Sequence, residues 1–140
     1  MNHPQRDELL AALQELWRSP YPEDSRCLCD PDTQECVCVG RRNGRAAISA
    51  PCRAGPTAPR ADVLVRLGFT FKETYATHPF TYERIRVYSC SRLVETPEEA
   101  ADVALAVACD YFQIPPDKWL YVAFDENPDQ WPELPPRPPG

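Results

Sequence analysis

Lysine is nearly absent, histidine is scarce and no long apolar run exists, and each shortage removes a class of function. There are two lysines against thirteen arginines, and the only histidines are His3 and His78. No His-Glu-x-x-His helix, Gly-x-Ser-x-Gly elbow, phosphate-cradling glycine loop or dinucleotide fingerprint occurs, which removes the common enzyme classes that depend on them. His78 is read as an exposed turn residue and not as a general base. Nothing approaches the roughly 18 consecutive apolar residues of a membrane span, so no membrane partner is expected. The segment Met1 to Trp17 carries Arg6, Asp7, Glu8 and Glu15 in place of a continuous apolar core. No secretory address is visible there, and the expected location is cytoplasmic. A net charge of −6 disfavours sequence-independent binding to nucleic acid by the chain as a whole.

Cysteine, by contrast, is abundant and ordered. Seven are present, four of them in Cys27-Leu-Cys29 and Cys36-Val-Cys38 on either side of Asp30-Pro31-Asp32. In a strand, residues i and i+2 point to one side, and Asp-Pro-Asp is turn chemistry. Folding the segment at its midpoint sets Cys29 opposite Cys36 and Cys27 opposite Cys38, all on one face. Three chemistries fit that arrangement. Four thiolates at about 2.3 Å make a closed structural zinc shell, and this is the favoured reading. Unligated reduced thiols are the second. Disulfides are the third; they require an oxidising compartment, and an odd cysteine count forbids full pairing within one chain. Cys52, in a Pro/Gly-rich loop, is a possible substitute ligand. The acids Asp30, Asp32 and Glu35 lack the glycine and distal glutamate of an EF-hand loop and are read as a solvated turn.

Periodicity organises the rest as an α+β fold: a small, mainly antiparallel sheet with one long helix packed on it, plus an N-terminal helix and the Cys-rich β-hairpin. A single domain is expected over 1–126. Within it, leucines at helical spacing predict a helix over about 5–18, the Cys-rich hairpin spans 26–39, a flexible basic loop follows at 40–60 with a short strand near 46–50, and 61–124 is the better-ordered core. That core contains an antiparallel hairpin over 69–91. Thr96-Pro97-Glu98-Glu99 is a capping box with proline at the first helical position, opening a helix to about Tyr111. Trp119 to Phe124 reads as an interior or strongly packed strand. Residues 127–140 form a Pro-rich tail with Trp131, and Pro132, Pro135 and Arg137 fall in a polyproline-ligand spacing.

Charge is unevenly spread. No acid lies between Cys36 and Ala61, whereas Leu93 to the C-terminus holds ten acids and two bases. These features favour a non-enzymatic interaction protein, a regulator or inhibitor with a protein partner. The expected partner-binding residues are Arg41, Arg42, Arg45, Tyr82, Arg84, Arg86, Tyr88, Glu98, Glu99, Asp102 and Trp131. One alternative is thiol redox or metal handling by the four cysteines. The other is nucleic-acid binding, with arginines on phosphates and tyrosines stacked on bases.

Overall fold

The computed structural model describes residues 3–52 and 54–124. Six strands form one sheet: β1 (Glu23–Cys29), β2 (Cys36–Arg42), β3 (Arg45–Ser49), β4 (Thr70–Thr77), β5 (Arg84–Val94) and β6 (Tyr121–Ala123). Their order is β4-β5-β3-β2-β1-β6, and every neighbouring pair is antiparallel. Helices α1 (Arg6–Trp17), α2 (Ala61–Arg66) and α3 (Pro97–Ala106) complete the α+β fold. The Pro-rich tail and Trp131 lie outside the described residues.

Alternation along the strands divides the sheet into two unlike faces. Leu28, Val37, Val39, Ile48, Cys90 and Val94 point to one side and are buried to 5% exposure or less. Against them pack Leu9, Leu13 and Leu16 of α1 and the alanine-rich stripe of α3, including Ala100, Ala101 and Ala104. Small side chains on α3 let the two helices lie close, and Arg6 of α1 donates to Asp102 of α3 at 2.7 Å. The opposite face carries Cys27, Cys29, Cys36 and Cys38 by the same alternation.

The capping box forms. Thr96 Oγ1 accepts from the Glu99 N–H at 3.1 Å, and the Glu99 carboxylate reaches back to accept from the Glu95 N–H at 2.9 Å, one residue before the cap. After Ala106 the helix widens into a π-helical turn, Val107–Tyr111, in which the Phe112 N–H donates to the Val107 carbonyl at 3.0 Å.

Two expectations are corrected. The stretch 40–60 is not mainly a flexible loop: β2 continues to Arg42, Asn43 and Gly44 turn the chain, and β3 follows where a short strand is expected near 46–50. Asn43 and Gly44 both have positive φ, 54° and 76°, as a two-residue hairpin turn between right-twisted strands requires. Asn and Gly are the residues that adopt it at least cost, so the signal was present in the sequence and was overridden by the Pro/Gly content further on. The second correction concerns β6. Among the described residues it pairs only with β1, so it is an edge strand and not an interior one, while the strongly packed alternative fits Leu120, 1% exposed. Its apolar character reflects Leu120, buried in the core, and Val122, packed against it. The Gln5 side-chain amide anchors its entry, donating to the Leu120 carbonyl at 2.6 Å and accepting from the Leu120 N–H at 2.8 Å.

Arg41 also points to the helix side of β2. Its guanidinium donates to the carbonyls of Leu16 (3.2 Å), Trp17 (3.0 Å) and Ser19 (3.1 Å), tying the C-terminal end of α1 to the sheet. Arg41→Met is expected to lower stability by about 2 kcal/mol in a denaturant titration, whereas Arg66→Ala, on the exposed face of α2, leaves the midpoint unchanged.

A second tie joins the β1–β2 turn to the approach to β6. Lys118 Nζ lies 2.8 Å from Asp30 and 2.9 Å from Asp32. The Lys118 hydrogen bond, aided by the Asp32 N–H, holds the Asp30 carboxyl below the ordinary carboxylate range. A depressed folded pKa stabilises the fold above the unfolded value of about 3.9, and that contribution is lost as pH falls through the lower folded pKa. Unfolding free energy should therefore decline on acidification below about pH 4, and Lys118→Met should flatten that limb.

Candidate functional site

Two surfaces stand out: the cysteine face of the sheet and a ribbon that extends from its β4–β5 edge. In the hairpin, Cys27 is directly opposite Cys38 and Cys29 opposite Cys36, the register that folding at Asp-Pro-Asp requires. The sulfurs are joined in those pairs as two disulfides, Cys27–Cys38 and Cys29–Cys36. Cys27 and Cys29 are buried, while Cys36 and Cys38 are partly open, so the sulfurs accessible to a reagent are those of β2. Among the described residues no group of three or more His, Cys, Asp or Glu side chains is arranged to hold a metal ion.

Cys52 does not join this face. It is 3% exposed within the core on the helix side, with its Sγ 3.6 Å from the Gly55 carbonyl. Nearby, burial drives the Tyr111 phenol well above its usual range, and its hydroxyl donates to the Pro51 carbonyl at 3.3 Å. These are packing roles.

Strand β5 is eleven residues long but pairs with β3 only over Ser91–Val94. The remainder pairs with β4 alone, so residues 72–87 form a two-stranded ribbon with both faces largely open. Tyr75, Phe80, Tyr82 and Ile85 are exposed by 48, 86, 79 and 41%. Such a ribbon is marginal by itself, so its contacts matter. On one side Arg84 stacks over the Tyr75 ring at 4.7 Å, the Tyr75 hydroxyl donates to Glu73 at 3.3 Å, and Arg86 lies 4.0 Å from the same carboxylate. His78 Nδ1 accepts from the N–H groups of Phe80 and Thr81, both at 3.2 Å, so this histidine organises the ribbon tip.

Tyr88 marks where the ribbon leaves the body. Gly55, at φ +76°, begins a single 3-10 turn whose backbone lies against the Tyr88 ring; a Cβ there would stand 2.4 Å from Tyr88 Cδ2. Tyr88 is thus half-buried and used internally.

The other residues expected to meet a partner are dispersed. Arg41 is engaged with α1, Arg42 pairs with Glu23 at 3.1 Å, and Arg45 is exposed. Glu99 receives Arg92 at 3.2 Å and Asp102 receives Arg6, leaving Glu98 as the open acid of that group. The structure brings Tyr82, Arg84 and Arg86 together on the ribbon and separates them from Arg41 and Arg42. Phe80 and Ile85 join them there. Their signal in the sequence was a hairpin longer than the sheet could cover.

With this geometry in view, comparison with protein-family models, curated proteins and solved structures finds no match.

The disulfides close nested loops with sequence separations of eleven and seven. Either alone would constrain the unfolded chain by about 2–3 kcal/mol. Because one closed pair already holds the hairpin, replacing only Cys29 and Cys36 by serine should cost well below that figure. Replacing all four should cost at least the full amount, read as the difference in unfolding free energy.

Proposed function

We propose that this protein is a non-enzymatic interaction protein, a regulator or inhibitor, that engages a protein partner through the β4–β5 ribbon. One observation carries the reading: three large aromatic side chains and Ile85 stand open on a two-stranded ribbon whose own fold gains little from their exposure. Aromatic anchors flanked by arginines are the side chains that dominate binding energy when a partner desolvates them. Long-range charge supports a partner with a basic rim, because the chain carries −6 overall.

The nucleic-acid alternative draws less support. Arg41 is committed to helix carbonyls and Arg42 to Glu23, so these two arginines are engaged within the fold and not free for phosphate. The thiol alternative has its own observation, four sulfurs on one side of a hairpin. In reduced form they would hold zinc as four thiolates, a structural role. Disulfides persist in oxidising settings, so rapid trapping of thiols in the source cell tests the expected cytoplasmic location as well as the redox state.

The ribbon reading is tested with a photo-crosslinking residue placed at position 81 and Phe80→Ser with Tyr82→Ser as the variant. Because both side chains are exposed, stability should change by no more than about 0.5 kcal/mol. The native ribbon should crosslink one reproducible protein in extract of the source cell, and the double variant should lose at least tenfold of that yield. Equal yields from the two would refute the proposal. A product that disappears steeply with salt and is destroyed by nuclease would transfer the function to nucleic acid.

A further inference from the structure

The cysteine face holds a concavity of about 380 Å³ away from the ribbon. Its floor is built from small residues in register: Cys38 opposite Ser49, and Gly40 opposite Ala47. Leu93, paired beside Ala47 on β5 and 60% exposed, forms an apolar wall. Ser25 lies directly across from Gly40 on the same face, and its hydroxyl is buried with no hydrogen-bond partner. The size falls within the range of small-molecule sites.

The end of the groove carries an electrostatic conflict. Arg42 and Arg45 are directly opposite one another across the β2–β3 turn, and both line the cavity. Like charges at opposed positions of a strand pair repel. Glu23, facing Arg42 from β1, answers one of the two at 3.1 Å. Among the described residues the Arg45 guanidinium has no ion-pair or hydrogen-bond partner. One positive charge therefore remains uncompensated at the mouth of an apolar, small-floored groove.

We infer that this groove binds a small amphipathic monoanion, with its carboxylate on Arg45 and its aliphatic body lying over Gly40 and Ala47 against Leu93. A carboxylate suits the planar guanidinium fork, which donates two parallel hydrogen bonds. It also cancels the repulsion between Arg42 and Arg45 that Glu23 leaves half-met. A neutral ligand of the same shape would gain only the apolar contact. This site is independent of the ribbon and of any partner bound there.

Decanoate below its micellar concentration is the probe, with decanol as its uncharged counterpart, followed by amide chemical shifts in the full-length oxidised protein. Decanoate should give saturable shifts at Gly40, Ala47 and Arg45 with at least tenfold higher affinity than decanol. Arg45→Ala should reduce decanoate affinity at least tenfold and leave decanol unchanged, while Arg66→Ala alters neither. Ala47→Leu, which fills the floor, should remove both ligands; an unchanged unfolding midpoint shows that it remains folded, and Leu93→Ala supplies a second apolar test if it does not. Equal affinities for the acid and the alcohol, shifts that never saturate, or decanoate binding indifferent to Arg45→Ala would each overturn the inference.

Discussion

The strict two-residue alternation of β1 and β2 is the constraint on which the rest of the molecule depends. Leu28, Val37 and Val39 must face the helices, and the same pleat then forces all four hairpin cysteines to the other side. A one-residue slip would exchange the two sets. It would drive apolar side chains outward, bury sulfur pairs under α1 and remove Arg41 from the helix end it serves. The crosslinks and the core thus specify one register from opposite faces.

This division also separates the molecule's tasks. The helix side is closed by leucines, alanines and internal ion pairs, and it absorbs several charges that sequence alone assigns to a partner. Arg6 with Asp102 joins helices far apart along the chain, and Arg92 with Glu99 ties the end of β5 to the first turn of the helix that follows it. Among the described residues the other side has no helix over it and keeps small residues, Leu93 and Arg45 available. The ribbon belongs fully to neither, because β4 and β5 outrun the strands that would have supported them.

Much of the architecture was legible because its signals are local. The cysteine pairs, the Thr96 cap and the antiparallel pairing of 69–91 each follow from spacing or turn chemistry within about two dozen residues. The sheet order did not follow, since the pairing of β3 with β5 and of β6 with β1 depends on which apolar edges meet in three dimensions. Arg41 shows the same limit from the side of function. Its placement beside Arg42 suggested a basic patch, yet alternation sends neighbours to opposite faces, and only the position of α1 reveals what Arg41 meets. The state of the sulfurs was open because the geometry that admits two disulfides also brings four thiolates together.

The reciprocal bonds between Gln5 and Leu120 carry a consequence for assembly. The Gln5 amide gives Leu120 one N–H and its carbonyl oxygen, so it acts toward Leu120 as a strand backbone would, although it sits at the start of α1. The first helix and the last strand are therefore zipped by contacts 115 residues apart in sequence. During synthesis β1 has β2 on one flank and nothing on the other until Tyr121–Ala123 leaves the ribosome. Completion of the sheet must wait for that strand, which gives the fold a late, non-local closing step and leaves an open template for mispairing in the interval.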